Sequence, residues 1–156
     1  IARRREACHA PYHAALADEI ARVRARHGYA LLYDCHSIRS VIPRLFEGTL
    51  PTFNIGTNSG ASCAPEIEAA VVEACAAAGP GYALNGRFKG GYITRHHGRP
   101  AEHVHAVQME LAQSAYMLEA PPWTYDEAAA APTRAVLRHV LESMLEAGAR
   151  LYGGER

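Results

Sequence analysis

Apolar residues recur at spacings of three and four in two long stretches of the chain, and this period predicts two amphipathic helices. The first spans residues 5–27 and is followed by Gly28, a residue that suits the end of a helix. Its apolar stripe consists of Tyr12, Leu16, Ile20 and Val23. The second begins after Asp126, whose carboxylate is expected to cap it. Its stripe consists of Val136, Leu137, Val140, Leu141, Met144 and Leu145.

Short apolar runs between these two helices predict strands, with one further helix among them. The predicted strands cover residues 29–33, 53–57, 82–84, 92–94 and 104–110. The middle helix covers residues 62–78 and is expected to stop at Gly79-Pro80-Gly81, and residues 153–156 are expected to form a frayed tail. Because helices and strands alternate along the chain, the pattern indicates an α/β domain in which helices are layered on a sheet.

Length and charge narrow the classes of function. The 156 residues suit one compact domain, which we take as residues 1–156. The 16 basic and 16 acidic residues balance, so nothing indicates an electrostatic hold on nucleic acid or on an acidic membrane. No apolar run approaches the ~18 residues of a membrane span. The four cysteines form no CxxC pair, which argues against a small structural zinc site and favours a reduced, cytoplasmic protein.

Residues 85–110 carry an unusual mixture of side chains. Four arginines or lysines, four histidines and four glycines fall within these 26 residues, which end in Glu110. Glycines let a backbone approach a ligand closely, and arginines offer a planar fork that matches a carboxylate. We interpret the stretch as one wall of an active site for a small anionic substrate.

A second polar group follows the strand predicted at residues 29–33. Alternation along a strand places Asp34 and His36 on one face, and α/β proteins bind ligands just beyond the carboxyl ends of their strands. His36 is therefore a candidate metal ligand. The alternative is a histidine whose ring is satisfied by backbone groups at the strand end.

Together these groups suggest a zinc hydrolase, which needs imidazole or carboxylate ligands and a carboxylate to take a proton from water. Glu110 is the candidate base, and Arg87, Arg95 or Arg99 can clamp a substrate carboxylate. Each residue also has an ordinary structural explanation: Glu110 can begin a helix, Arg99 can be an exposed loop charge, and the histidines can bond to backbone.

Two other groups of residues are weaker candidates. His9 and His13 lie one helical turn apart and can chelate a metal, although no nearby carboxylate completes a ligand set, which favours a surface role. Cys75 is expected in the core. Cys63, at the predicted start of a helix, is a candidate reactive thiol, but we expect it to be inert.

Several long motifs resemble the N-formylglutamate amidohydrolase family in the same order. They cover residues 12–16, 34–40, 43–48, 50–57, 85–95, 105–113 and 116–117. The resemblance implies a fold similar to the zinc carboxypeptidases, with a mixed, mostly parallel sheet flanked by helices. It also implies hydrolysis of N-formyl-L-glutamate to L-glutamate and formate during histidine breakdown.

The resemblance implies roles for His36 and Glu110, and the residues themselves suggest further candidates. His36 is expected to bind zinc and Glu110 to act as the general base. Arg87, Arg95, Asn85 and Arg39 are expected to bind the substrate, and Asp34 and His105 to support the ligating and reacting groups.

Two departures from the family pattern stand out. His97 occupies a position where the family pattern suggests tyrosine, and the chain begins at Ile1 rather than at a methionine. Members of the family take two further zinc ligands and an Asn-Arg pair from an earlier segment, so we expect this chain to be the C-terminal portion of a larger domain. Two alternatives stay open: a zinc amide hydrolase with another N-acyl amino acid or peptide as substrate, and a non-catalytic module that binds an anionic metabolite.

Overall fold

A computed structural model describes residues 1–79 and 81–154. Pro80 of the predicted helix stop, and Glu155 and Arg156 of the expected frayed tail, lie outside these ranges. The long helices are α2 (Ala10–His27), α3 (Pro65–Ala76) and α5 (Glu127–Tyr152), and the short ones are α1 (Ala2–Arg4) and α4 (Tyr92–His97). A π-helical turn, Arg5–His9, joins α1 to α2, and 3-10 turns lie at Pro100–Glu102 and Gln113–Ala115. None of the described helices has the length and apolar character to cross a membrane.

The sheet has four strands in the order β1-β4-β2-β3, which are Ala30–Ile38, Val104–Ala112, Phe53–Gly56 and Tyr82–Leu84. β1 and β4 pair in parallel, β2 and β3 pair in parallel, and β2 and β4 pair antiparallel. The predicted mixed, mostly parallel sheet flanked by helices is therefore confirmed.

The two faces of the sheet are covered by different helices. On one face, β-strand residues such as Ile55, Val107 and Met109 pack against Ile67 of α3 and Val140 of α5 in the main core. On the other face, a smaller cluster joins Ile20 of α2 to Ala30 and Val104. This second apolar cluster covers only one end of its face, because the other end carries polar side chains.

The predicted end of the first long helix and the predicted cap of the last one are confirmed. Gly28 follows α2 with φ of 84°, a conformation that a residue without a Cβ adopts readily. The Asp126 carboxylate accepts hydrogen bonds from the backbone N–H groups of Ala128 and Ala129 and so caps α5.

Two strand predictions were wrong. Residues 92–94 belong to α4 rather than to a strand. β4 is already paired on both sides, and the apolar run 92–94 is only about one helical turn long. β1 continues to Ile38, because its pairing with β4 extends to Ala112. Asp34 and His36 therefore lie within the strand and not beyond its end.

Candidate active site

Four polar side chains share one face of the sheet at the carboxyl ends of β1 and β4. The register of these parallel strands sets His36 beside Glu110 and Asp34 beside Gln108. Residues paired in register, and residues two apart along a strand, point to the same side of a sheet. Asn54 of β2 is in register with Glu110 and joins the same face. The structure thus brings the predicted metal ligand and the predicted base side by side.

His36 is oriented by a carboxylate on its own strand. Its Nε2 lies 3.1 Å from Oδ2 of Asp34, and the side chains are 44% and 12% exposed, respectively. The imidazole is therefore open to the surface while the Asp34 carboxylate lies behind it. Oδ2 of Asp34 is buried and makes no well-aligned hydrogen bond. With Nε2 facing Asp34, Nδ1 is the ring nitrogen left to coordinate a metal. Carboxylates orient metal-binding histidines in this way.

Glu110 is a buried carboxylate with defined contacts on both its side chain and its main chain. It is 6% exposed. Its Oε2 accepts a hydrogen bond from Nε2 of Gln108 at 3.3 Å, and its main-chain oxygen accepts one from Nδ2 of Asn54 at 3.1 Å. Burial raises the pKa of Glu110; nearby His36 opposes this rise and Asp34 adds to it. A carboxylate whose pKa is raised toward neutrality is a better proton acceptor and donor at neutral pH.

The loop between β3 and α4 runs past this face and is fastened by Asn85. Oδ1 of Asn85 accepts hydrogen bonds from the N–H groups of Thr57 and Ser59, and its Nδ2 donates to Oγ1 of Thr57. The side-chain amide of Asn85, a predicted substrate-binding residue, is therefore occupied by hydrogen bonds to the loop that follows β2. The structure places Asn85 as a fastener of the loop, with its amide already occupied.

The four candidate arginines are all exposed to solvent: Arg39, Arg87, Arg95 and Arg99. Nη1 of Arg95 donates to the carbonyl of Gly90 at 2.8 Å, and Nη2 of Arg39 donates to the carbonyl of Glu119 at 3.3 Å. No ion pair between described side chains involves Arg39, Arg87 or Arg95. The charges of Arg87 and Arg95 are thus available to an anion, whereas Arg39 already interacts with the Glu119 carboxylate and the Trp123 ring. Arg99, by contrast, pairs with Glu102 at 3.1 Å, as expected of an exposed loop charge.

His105 lies on the opposite face of the sheet, so the structure does not bring it to the site. It is fully buried. Its Nδ1 accepts a hydrogen bond from the N–H of Ala64, which leaves Nε2 to donate to the hydroxyl of Tyr152 at 2.8 Å. His105 alternates with Gln108 and Glu110 along β4 in the wrong phase to reach His36. Its contacts fasten the start of α3 and the end of α5 to the sheet.

Gln108 is the polar residue of this face that sequence reasoning missed. It is 4% exposed and lies two residues before Glu110. Its signal was available: in a strand of apolar residues, a polar residue spaced by two from a candidate base shares the face of that base.

The remaining histidine and cysteine candidates have separate places. Nδ1 of His13 lies 3.1 Å from Nε2 of His97, so the partner of His13 is on α4, and the tilted ring of His9 contacts His13. Burial raises the pKa of Cys63 to about 12 and that of Cys75 to about 11. Both thiols are therefore protonated at neutral pH, which agrees with inert core cysteines.

The side chains on the His36–Glu110 face fit part of a metal site. His36 offers an imidazole nitrogen, and Glu110 lies where a proton acceptor for bound water would be needed. Across residues 1–79 and 81–154, however, no group of three His, Cys, Asp or Glu side chains is arranged to hold a metal ion. A metal bound at His36 would need further ligands from outside this described set.

Comparison with known proteins gives consistent matches. The profile of the N-formylglutamate amidohydrolase family matches residues 1–117. N-formylglutamate deformylases from Pseudomonas aeruginosa and Pseudomonas putida are 57% and 56% identical over 143 residues, which is 91% of this chain and 54% of each relative. A crystal structure of N-formylglutamate amidohydrolase from Ralstonia eutropha JMP134 is similar with a TM-score of 0.78 and 27% identity, over 93% of this chain and 54% of that one. The chain thus spans about half the length of these relatives.

Proposed function

The chain belongs to the N-formylglutamate amidohydrolase family, and we propose that its His36–Glu110 face is part of a site that hydrolyses N-formyl-L-glutamate to L-glutamate and formate. The observation that carries the proposal is the register of β1 and β4, which sets an exposed imidazole beside a buried carboxylate. The names of the relatives supply the substrate. We also propose that this hydrolysis takes place in the cytoplasm and belongs to histidine breakdown.

We propose zinc as the cofactor, with His36 as a ligand. When bound, zinc would polarise the formyl carbonyl and lower the pKa of a coordinated water. Asp34 supports this role because its carboxylate lies 3.1 Å from Nε2 of His36 and so leaves Nδ1 as the nitrogen for the metal.

Glu110 is assigned the proton transfers. Its carboxylate accepts a proton from the attacking water, whose oxygen joins the formyl carbon. It then gives that proton to the amide nitrogen as the carbon–nitrogen bond breaks, so that formate and the amino group of glutamate leave. Its raised pKa makes the second transfer easier at neutral pH.

The arginines are assigned to the two carboxylates of the substrate. Arg95 lies on α4, which follows the loop bound by Gln108, and Arg39 follows Ile38 at the end of β1. Arg87 lies in the loop that Asn85 fastens to β2. A guanidinium that binds a carboxylate through two N–H groups orients the scissile bond. Correct orientation lowers the activation barrier of the hydrolysis.

Formate release by the full-length protein tests the substrate assignment. We expect N-formyl-L-glutamate to be hydrolysed with a kcat/KM at least about a hundredfold above that of N-acetyl-L-glutamate or N-acetyl-L-aspartate, because a site shaped for the formyl hydrogen has no room for the methyl group of an acetyl substrate. Faster release of acetate from an N-acetyl substrate would favour the other amide hydrolase instead.

A non-catalytic module that binds an anionic metabolite is the second candidate. No group of three metal ligands exists among the described side chains, and Arg39, Arg87 and Arg95 are exposed to solvent. Calorimetry with L-glutamate separates the two in the presence and absence of a chelator. Tight binding that the chelator leaves unchanged, without formate release from the N-formyl derivative, would favour the module.

Zinc affinity of residues 1–156 alone gives a further expected result. Since one imidazole cannot hold zinc in a catalytic geometry, exhaustive dialysis should leave the chain with far less than one zinc per molecule, and His36→Ala should change little. The metal content is measured by atomic absorption. One tightly held zinc per chain would contradict the expectation, and its loss in His36→Ala would show that the described face suffices.

A further inference from the structure

Gln108 lies between the candidate base and the loop that joins β3 to α4. Oε1 of Gln108 accepts a hydrogen bond from the N–H of Gly91 at 2.6 Å, and its Nε2 donates to Oε2 of Glu110 at 3.3 Å. Both ends of a buried amide are thus used, one on the loop and one on the carboxylate.

The direction of this amide is fixed by its partners. A main-chain N–H can only donate, so the side-chain oxygen of Gln108 must face Gly91. The NH₂ group then has to face Glu110, which accepts as a carboxylate. A flipped amide would set two donors against each other at Gly91 and two acceptors against each other at Glu110. The amide is therefore a directional link between the loop and the base.

The loop end of the link is held firmly. Gly91 is the residue that precedes α4, and the carbonyl of Gly90 accepts a hydrogen bond from Arg95. Gly90 also lies against Gly56 of β2 so closely that a Cβ on Gly56 would be 2.4 Å from the nitrogen of Gly90. The N–H of Gly91 is thus a fixed reference point for Gln108.

We propose that Gln108 is a positioning residue that holds the Glu110 carboxylate in line with the substrate, an inference that rests on the proposed function. A glutamate side chain turns about three bonds, and burial alone does not choose among its rotamers. The hydrogen bond from Gln108 selects the rotamer whose Oε2 faces Nε2 of Gln108, and leaves Oε1 to meet the water. A displacement of about 1 Å at a reacting group costs roughly a hundredfold in rate.

The test uses kinetics of the full-length protein with Gln108→Met, which keeps the length of the side chain and removes both hydrogen bonds. We expect kcat for formate release to fall about 10- to 100-fold, with KM for N-formyl-L-glutamate changed less than about threefold. Gln108→Asn is the second variant, because it keeps the amide but is too short to reach both partners. It should lower kcat in the same direction.

Thr133→Val is the matched control. Thr133 is a buried side chain of α5 that donates to the carbonyl of Ala115, so the change removes a buried hydrogen bond remote from Glu110. It should lower the urea concentration at which half of the protein is unfolded, because a buried hydrogen bond is lost, and leave kcat within about twofold. If both Gln108 variants keep kcat within that range, or raise KM alone, Gln108 serves only the loop and the proposal is overturned.

A crystal structure of Gln108→Met decides the matter without activity. The Glu110 carboxylate should move by about 1 Å or occupy more than one rotamer, and an unmoved carboxylate overturns the proposal. Full activity of Glu110→Gln would instead refute the proposed base, and the position of the carboxylate would still show whether Gln108 holds it.

Discussion

Glu110→Gln in the full-length protein is expected to lower formate release from N-formyl-L-glutamate by about 10²- to 10⁴-fold, the usual contribution of a general acid–base group. The amide has nearly the shape of the carboxylate but cannot accept the proton of an attacking water. It also keeps an oxygen for the Gln108 hydrogen bond, so the fold and substrate binding should survive. The measurement is kcat by formate detection, together with the dissociation constant for L-glutamate.

The matched control for this change is Glu73→Gln. Glu73 is an exposed glutamate on α3, which packs on the opposite side of the sheet from Glu110, so the same chemical change should leave kcat unaltered. Retained activity in Glu110→Gln would remove Glu110 from the role of base. Equal losses in both variants would point to a general effect of the substitution.

Acid is expected to destabilise the fold through His105. Burial lowers the pKa of this imidazole from 6.5 to about 4, and nearby His103 adds to the shift. The neutral ring bonds to Ala64 and Tyr152 through its two nitrogens. Between these two pH values the unfolded chain binds a proton that folded His105 refuses. The contribution is complete above pH 6.5 and is lost as pH falls toward 4, at about 1.4 kcal/mol per pH unit and on the order of 3 kcal/mol in all.

Urea unfolding between pH 7.5 and 4 measures this loss, and NMR titration of the His105 ring protons assigns it. The pKa values of His13 and His97 are also lowered by burial, so those two rings add a change of the same sign. His105→Gln isolates the effect, since it should be less stable at neutral pH but lose less on acidification. A His105 ring that titrates near 6.5 in the folded chain would contradict the account.

How far the sequence predicts the site depends on whether a feature is local. The period of two in residues 104–110 and the alternation of Asp34 and His36 place each side chain on a face, and the pairing of β1 with β4 makes those faces the same. His105 was assigned to the site because it lies in the same motif as Glu110. The alternation along β4 points it the other way, toward Ala64 and Tyr152.

Other features depend on contacts distant in sequence, which local patterns do not encode. Residues 92–94 have apolar and β-branched character, yet they form α4 because no strand edge is open to them at β4. The His13–His97 contact joins residues 84 positions apart, and the amide of Asn85 binds a loop 28 residues away. Each of these pairs depends on how the helices and loops pack on the sheet.

The most direct test of the site is anomalous diffraction at the zinc edge from crystals of the zinc-loaded full-length protein. The account predicts a peak about 2.1 Å from a ring nitrogen of His36, with the Glu110 carboxylate within about 5 Å, which is one metal–oxygen bond plus one hydrogen bond. A zinc ion bound elsewhere, such as between His13 and His97, with His36 and Glu110 free of metal, would contradict it.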